Sequence, residues 1–278
     1  MNFPRFWARA DHDGFLAWGW SNESIEAAKV SGMEVARRIA ERIRRGDRKH
    51  FTRYTYGDRP LREEIIREFK EDAGVPRAVI TRNAYGCLVL NTARLLFVDV
   101  DLGEPPERGG VVSRWLGSEK RVIAHAKKQE AVLARAAEWV NRNDGWGWRI
   151  YETRAGLRLA AIHRTFEPSD PVCAKVFDWM NADPLYRRLC ANQKCFRARL
   201  TPKPWRCGHS PPRERWPFLD ERRAERFGQW QERYIDLAAG YATCRVVSGG
   251  SSVAVPGITD LISVHDELTR ATTNLPLA

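Results

Sequence analysis

Residues 95–102 read LLFVDVDL, and this stretch decides the fold class. Its apolar and β-branched residues predict a strand. Side chains two apart on a strand point to the same face, so Asp99 and Asp101 share one face while the valines and Leu102 fill the other. Two neighbouring carboxylates repel each other, and a divalent cation between them removes that repulsion. The stretch therefore predicts a sheet carrying a candidate Mg²⁺ or Mn²⁺ site. A strand end whose acids face water is the alternative.

The elements around this strand predict an α+β fold. Upstream, residues 78–92 read as two strands around a turn at 83–86. Downstream come a helix over 118–141, a hairpin turning at 154–156, helical pieces at 168–182 and 183–189, and a strand at 195–201. The order from residue 95 to residue 201 is strand, helix, strand, strand, helix, strand. It predicts a βαββαβ core of RRM-like or ferredoxin-like type, with a four-stranded antiparallel sheet backed by two helices.

The rest of the chain divides around this core. Amphipathic patterns at 24–45 and 58–72 predict a helical N-terminal region over residues 1–75. The RRM-like core spans residues 76–208. Residues 209–278 begin with a polar, proline-rich connector and continue as a C-terminal α/β extension packed on the core.

Charge and hydropathy narrow the class of partner. The 278 residues include 46 Lys and Arg against 35 Asp and Glu, a formal net charge of +11. Such an excess favours polyanions, so DNA or RNA is the expected partner. The apolar runs are far shorter than the ~20 residues that cross a bilayer, and residues 1–14 do not resemble a signal peptide. We therefore expect a cytoplasmic protein without a membrane partner, whose six cysteines are thiols or metal ligands.

The predicted hairpin after the acidic strand carries candidate phosphate ligands. A tight turn containing Thr153, Arg154 and Gly156 can bring backbone N–H groups and a guanidinium close to a phosphate. Arg158 and His163 follow on the return strand. The alternative is an ordinary hairpin turn, because Arg-Ala-Gly is common turn chemistry.

A second basic segment, FRARLTPKPWR, occupies residues 196–206. Its four cations are Arg197, Arg199, Lys203 and Arg206. Such a row suits a triphosphate or a nucleic-acid backbone, with Phe196 and Trp205 placed to stack on bases. Solvated surface arginines are the alternative interpretation.

Four possible zinc ligands follow each other within twenty residues: Cys190, Cys195, Cys207 and His209. Thiolate and imidazole ligands suit tetrahedral Zn²⁺. Their spacing does not match a standard zinc knuckle, and small buried core cysteines are the alternative.

The sequence resembles the archaeo-eukaryotic primase superfamily, the primase-polymerases, over roughly residues 78–206. The resemblance rests on LLFVDVD for the family's acidic strand, TRAGLRLAAIH for its hairpin motif and RARLTPKP for a later basic strand. It implies that Asp99 and Asp101 hold catalytic metals. It also implies that His163 or Arg158 contacts the phosphates of the incoming nucleotide, with His163 in a catalytic role.

The chain departs from the family pattern at two places. Arg158 follows the hairpin turn where the family usually has His, and residues 195–201 contain no acid that could be a third metal ligand. The acids elsewhere that could serve are Asp178, Asp236, Asp260 and Asp266.

The resemblance implies a metal-dependent nucleotidyltransferase of primase-polymerase type. It would act on DNA or RNA with nucleoside triphosphates, beside a replication partner such as a helicase. One alternative is a non-catalytic RRM-like nucleic-acid-binding protein of a replication or mobile-element system. The other is a metal-dependent nuclease.

Overall fold

A computed structural model of the chain describes residue 1 and residues 3–46, 60–70, 76–104, 118–248 and 255–278. The strands are β1 (Phe6–His12), β2 (Phe15–Ser21), β3 (Glu64–Lys70), β4 (Pro76–Arg82), β5 (Leu88–Thr92), β6 (Phe97–Asp101), β7 (Trp148–Thr153), β8 (Gly156–Ala161), β9 (Phe196–Arg199) and β10 (Cys244–Ser248). The helices are α1 (Ile25–Arg44), α2 (Ser118–Arg142), α3 (Pro171–Met180), α4 (Pro184–Gln193), α5 (Glu221–Ala238) and α6 (Thr259–Thr269). The α+β class is confirmed.

The N-terminal region is a β-hairpin packed on a helix, so the prediction of a helical region over residues 1–75 is wrong. Strands β1 and β2 pair antiparallel around the two-residue turn Asp13-Gly14, in which both residues have positive φ. An Asp-Gly pair between alternating aromatic and small residues is a strong hairpin signal. Helix α1 agrees with the predicted helix at 24–45 and packs closely on β2. A Cβ on Gly19 would lie 2.0 Å from the backbone nitrogen of Gly32.

The helix predicted at 58–72 is also wrong where the structure describes it, because residues 64–70 form strand β3. Ile65 and Phe69 are four apart, a spacing that fits one helix face but is also a multiple of the two-residue strand period. Irregular pairing with β4 between Ile65 and Arg67 then sends the two side chains to different clusters. Pairing with β4 therefore overrides the helical pattern.

Two four-stranded antiparallel sheets hold the main core. One has the order β10-β7-β8-β6 and the other the order β3-β4-β5-β9. Leu90 and Phe196 from the second sheet share one apolar cluster with Phe97 and Leu159 from the first. The predicted sequence β6, α2, β7, β8 is present with β8 between β6 and β7. The C-terminal segment adds β10 to this sheet and Leu261 of α6 to the core.

The predicted fourth strand of the core, β9, lies in the other sheet. It pairs antiparallel with β5, with Val89 opposite Arg199, and not with β6. The hydroxyl of Tyr186 lies between β6 and β9, donating to the carbonyl of Phe97 at 2.8 Å and accepting from the backbone N–H of Arg197 at 3.4 Å. A side chain thus bridges the two strands where the prediction has a ladder of backbone bonds.

Several other boundaries agree with the sequence analysis. Helix α2, the β7–β8 hairpin, the two short helices, α5 and α6 lie within a few residues of their predicted positions. Asp183 caps α4 by accepting from the backbone N–H of Leu185, with Pro184 in the first turn, as predicted. Of the predicted loop at 103–118, residues 105–117 lie outside the described residues. The helices of the described segments include none that is both long and apolar enough to span a membrane.

Candidate phosphate-binding site

Asp99 and Arg158 form a cross-strand ion pair at the centre of the site. They are directly opposite each other on β6 and β8. The Nε of Arg158 donates to Oδ1 of Asp99 at 2.7 Å and its Nη2 donates to Oδ2 at 3.0 Å. Arg158 is only 3% exposed, whereas the side chain of Asp99 is 33% exposed. Burial opposes the charged guanidinium, but the Asp99 carboxylate outweighs it and raises the pKa of Arg158. The charge of Asp99 is therefore matched inside the protein.

Arg158 also contacts groups that are distant from it in the sequence. Its Nη1 donates to the carbonyl of Arg199 at 3.0 Å and lies 3.4 Å from Nε2 of His265. The other ring nitrogen of His265, Nδ1, lies 3.0 Å from Oδ1 of Asp266. Burial lowers the pKa of the fully buried His265. Sequence reasoning gave His265 no role, since no local pattern relates α6 to β8.

Asp266, the residue after His265 on α6, connects this buried network to strand β7. It accepts a hydrogen bond from the Tyr151 hydroxyl at 2.7 Å and forms an ion pair with Arg149 at 2.6 Å. The rings of Tyr151 and Phe97 lie on His265, with centroid distances of 4.7 and 5.2 Å. Asp266 is thus committed to structure and does not join Asp99 and Asp101 as a third acid.

Asp101 is the last residue of β6. It is exposed, and its Oδ1 accepts from the backbone N–H of Gly103 at 2.8 Å. It pairs with Gly156 across the strands, where a Cβ would lie 2.0 Å from the carbonyl oxygen of Val100. Gly156 is therefore required for the close approach of β8 to β6, independently of any phosphate. Thr153 pairs with Gly156 at the hairpin end and with Cys244 of β10.

A group of cations lies beside this end of β6, and we call Arg154, Arg199, Lys203 and Arg206 the basic cluster. Glu104 forms ion pairs with Arg206 and with Arg154, the latter at 3.1 Å between Nε and Oε2. Burial opposes ionisation of Glu104, but the hydrogen bonds and charges of Arg206 and Arg154 together outweigh it and lower the pKa of Glu104. One carboxylate thus serves two of the four cations.

Arg199 and Lys203 form no ion pair within the described part of the chain. Arg199 donates from Nη1 to the carbonyl of Thr201 at 3.0 Å. Burial lowers its pKa, and repulsion from Arg158 and Arg206 lowers it further. Burial together with repulsion from Arg206 and Arg199 lowers the pKa of Lys203 as well. The cluster therefore concentrates positive charge that the described side chains do not neutralise.

Arg197 is not part of this cluster. It is 9% exposed and donates from Nη2 to both carboxylate oxygens of Glu63, at 2.8 and 3.1 Å. Glu63 is itself buried and accepts from the hydroxyl of Thr81. The structure commits Arg197 to an internal ion pair and takes it out of reach of an external phosphate. Phe196 is fully buried in the main core and cannot stack on a base as predicted.

His163 also lies away from the acidic strand. β8 runs from Gly156, opposite Asp101, to Ala160, opposite Phe97, so His163 follows at the far end of β6. Its Nδ1 accepts from the backbone N–H of Gly147 at 3.3 Å. Burial lowers the pKa of His163. Strand register therefore places His163 beyond the end of β6 that is opposite to Asp101.

The four candidate zinc ligands are not brought together. Cys190 belongs to the main core, Cys195 packs with Phe3 and Val79, and Cys207 packs against α5. His209 stacks on Trp230 with 5.4 Å between ring centroids. Burial raises the pKa of Cys190 to about 12 and that of Cys195 to about 11, as expected for buried thiols. These cysteines fit the alternative of small core residues.

The described residues offer no third acid for metal ligation at the aspartate pair. Among the residues that the structure describes, no group of three or more His, Cys, Asp or Glu side chains is placed to hold a metal ion. Two of the candidate third acids form ion pairs elsewhere, Asp178 with Arg187 and Asp260 with Arg77. Asp236 lies on α5. Asp99 and Asp101 thus supply two carboxylates, one of them held by Arg158.

Comparison of the chain with models of protein families, with curated protein sequences and with solved structures found no match.

Proposed function

We propose that this chain binds nucleic acid, with backbone phosphates held on the basic cluster. The observation that carries the proposal is the pair Arg199 and Lys203, two partly buried cations without a carboxylate partner among the described residues, beside Arg206. Like charges held together at a cost in free energy are stabilised by a polyanion. The order β6, α2, β7, β8 supports an RRM-like core beneath this surface, although its fourth strand pairs elsewhere.

The aspartate pair supports binding over metal catalysis as the leading function. Arg158 holds both oxygens of Asp99, so its negative charge is compensated without a metal ion. Such a pair can position the β6–β8 edge, and thereby the basic cluster, without taking part in chemistry. We therefore expect binding to depend on salt and to be independent of Mg²⁺.

Fluorescence anisotropy with labelled oligonucleotides tests this proposal. The double variant Arg154→Gln/Lys203→Gln, which leaves the 7% exposed Arg206 side chain in place, should weaken binding at least about tenfold and reduce the slope of log K against log salt by about 2, one unit for each cation that no longer meets a phosphate. Lys127→Gln/Lys128→Gln is the matched control, because it removes the same charge from exposed positions on α2. If both double variants weaken binding equally, the loss of affinity comes from the change in net charge, and a specific site is excluded.

A metal-dependent nucleotidyltransferase of primase-polymerase type is the second candidate function. The specific observation in its favour is the position of Asp99 and Asp101 on β6, next to the basic cluster. The side chain of Asp99 is one third exposed, and Asp101 is exposed. A carboxylate oxygen that accepts one hydrogen bond retains a second lone pair, so the ion pair with Arg158 leaves room for a ligand bond. Mg²⁺ or Mn²⁺ held there would supply Lewis-acid chemistry to a triphosphate.

Extension assays on primed and unprimed templates, with Mg²⁺ or Mn²⁺ and nucleoside triphosphates, test this second candidate. Asp101→Ala is the decisive variant because Asp101 is exposed and its loss leaves the ion pair of Asp99 intact. Metal-dependent products that disappear in Asp101→Ala would favour the nucleotidyltransferase. Labelled strands that become shorter, with the same dependence, would indicate a nuclease.

A further inference from the structure

Two exposed aromatic side chains touch each other beside the basic cluster. Tyr85 is 48% exposed and Trp205 is 47% exposed. Their ring centroids lie 5.4 Å apart with an interplanar angle of 81°. Large aromatic rings usually bury most of their surface, so a contacting pair that leaves nearly half of each ring in water marks a binding surface.

The turn that carries Tyr85 is fixed in place. Asn83 accepts from the backbone N–H of Tyr85 at 2.9 Å and from that of Cys87 at 3.1 Å. The next residue, Gly86, has φ +80°, and a Cβ there would lie 2.2 Å from the ring of Trp230. The turn is therefore packed tightly against α5, and Tyr85 projects from a rigid support.

Trp205 projects from a second short, anchored segment. It lies in a 3-10 turn at Pro204–Arg206, preceded by the buried Pro202. Pro204 is buried, and Arg206 is tied to Glu104 at the other end of the turn. The backbone N–H of Cys207 closes the turn by donating to the carbonyl of Pro204 at 3.1 Å. Both rings are thus held before any ligand arrives, which lowers the entropic cost of binding.

The charge next to the rings identifies the chemical class of the ligand. Nζ of Lys203 lies 5.5 Å from the ring centroid of Trp205, and Arg206 follows Trp205 directly. Aromatic surfaces joined to cations that track a phosphate backbone are the arrangement by which proteins bind single-stranded nucleic acids. In a duplex the faces of the bases are stacked on each other and cannot reach such rings.

We propose that Tyr85 and Trp205 form an aromatic platform for an unpaired base of a single-stranded nucleic acid whose phosphates contact Lys203, with one ring stacking on the face of the base and the other, nearly perpendicular, contacting its edge. This inference rests on the proposed function and deepens it, because it adds a base-stacking site and predicts a preference for single strands. The platform reads the flat face that all bases share, so it is expected to tolerate any sequence.

Anisotropy titrations with three ligands of equal length test the platform: a single-stranded oligonucleotide, an abasic oligomer with the same phosphates, and a duplex. Deoxyribose and ribose versions of the single strand separate DNA from RNA as the source of the base. Trp205→Ala is expected to weaken binding of the single strand about tenfold, the scale of one base stack, and to leave the abasic oligomer and the duplex unchanged. Tyr85→Ala should act in the same direction, and Trp205→Phe should restore most of the affinity.

Leu16→Ala is the control, since Leu16 is 51% exposed on β2 of the N-terminal hairpin. Thermal denaturation of each variant shows whether it is folded. The platform is refuted if Trp205→Ala and Tyr85→Ala weaken binding of the abasic oligomer as much as binding of the single strand. It is also refuted if they leave both affinities unchanged. The phosphate site is judged separately by Arg154→Gln/Lys203→Gln on the abasic oligomer, so the two proposals can fail independently.

Discussion

Arg158 and Asp99 face each other across β8 and β6, and the arginine is almost fully buried while the aspartate keeps a third of its side chain in solvent. This asymmetry decides what each member of the pair contributes. If Asp99 is removed, a buried guanidinium loses its counter-charge. If Arg158 is removed, a carboxylate that already contacts water is left, and water can solvate it.

The first prediction concerns the stability of this pair. Asp99→Ala should lower the free energy of unfolding by about 3–5 kcal/mol, the usual cost of leaving a buried charge without its partner. Arg158→Met should cost less, about 1–3 kcal/mol, because Asp99 is partly solvated and Met fills the space of the arginine stem. Urea denaturation measures both. Arg226→Met, at a pair whose arginine side chain is 45% exposed, is the control and should cost less than about 1 kcal/mol.

An equal or reversed order of the two destabilisations would contradict this account of the pair. The prediction also affects the test of catalysis. A loss of activity in Asp99→Ala could follow from unfolding alone, whereas Asp101 is exposed and its substitution reports on chemistry.

The second prediction concerns pH. His265 is buried among Arg158, Asp266 and Asp99, and burial lowers its pKa from the ordinary 6.5. The unfolded chain therefore binds a proton at a pH where folded His265 does not, and stability should fall as the pH decreases below about 6.5. Asp266, whose pKa is lowered from 3.8, contributes only at more acidic pH.

Thermal denaturation between pH 7.5 and 5 measures this effect. His265→Asn should flatten the decline, although it lowers stability at neutral pH. His163→Asn is the comparison, because burial lowers the pKa of His163 too, but this ring is only half-buried. A pH profile that is the same in wild type and His265→Asn would show that another group controls the acid response.

Local patterns were enough to predict much of the fold. The apolar strand β6, the helix α2 and the β7–β8 hairpin are each specified by periodicity and turn residues within about twenty neighbours. The pairing of β9 with β5 is not specified by such local patterns. Both β5 and β6 are apolar strands, and only tertiary packing selects one of them as the partner. The N-terminal hairpin was predictable from Asp13-Gly14. The amphipathic patterns at 24–45 and 58–72 led instead to a helical prediction for the whole region.

The site shows the same division. Asp99, Arg158, Arg199, Lys203 and Arg206 were all selected from the sequence. Their pairing was not, because the register between β6 and β8 joins residues 59 apart. His265 is 107 residues from the arginine it touches. No sequence spacing could indicate that an arginine expected to hold phosphate would instead hold the aspartate.

The third prediction separates packing from phosphate binding at Gly156. Gly156→Ala should lower the free energy of unfolding by about 1–3 kcal/mol, since its Cβ would lie 2.0 Å from the carbonyl oxygen of Val100. The affinity of the folded protein for nucleic acid should change little. Gly228→Ala is the control, because a Cβ there meets no atom within 4 Å, and alanine in helix α5 should stabilise by about 0.5–1 kcal/mol. A large loss of affinity in Gly156→Ala with unchanged stability would return this glycine to a phosphate-binding role.

The fourth prediction concerns Glu104, the acid that pairs with two cations of the basic cluster. Glu104 pairs with both Arg154 and Arg206, so a phosphate must compete with its carboxylate for these two guanidinium groups. Glu104→Gln keeps the size of the side chain and removes the competing charge, and we expect nucleic acid to bind several-fold more tightly at low salt. The gain should shrink as salt screens the site. Glu130→Gln, at an exposed position on α2, makes the same change in net charge and should have little effect. Weaker binding in Glu104→Gln would mean that Glu104 orients Arg154 and Arg206 for the ligand, and that the ion pairs are part of the binding surface.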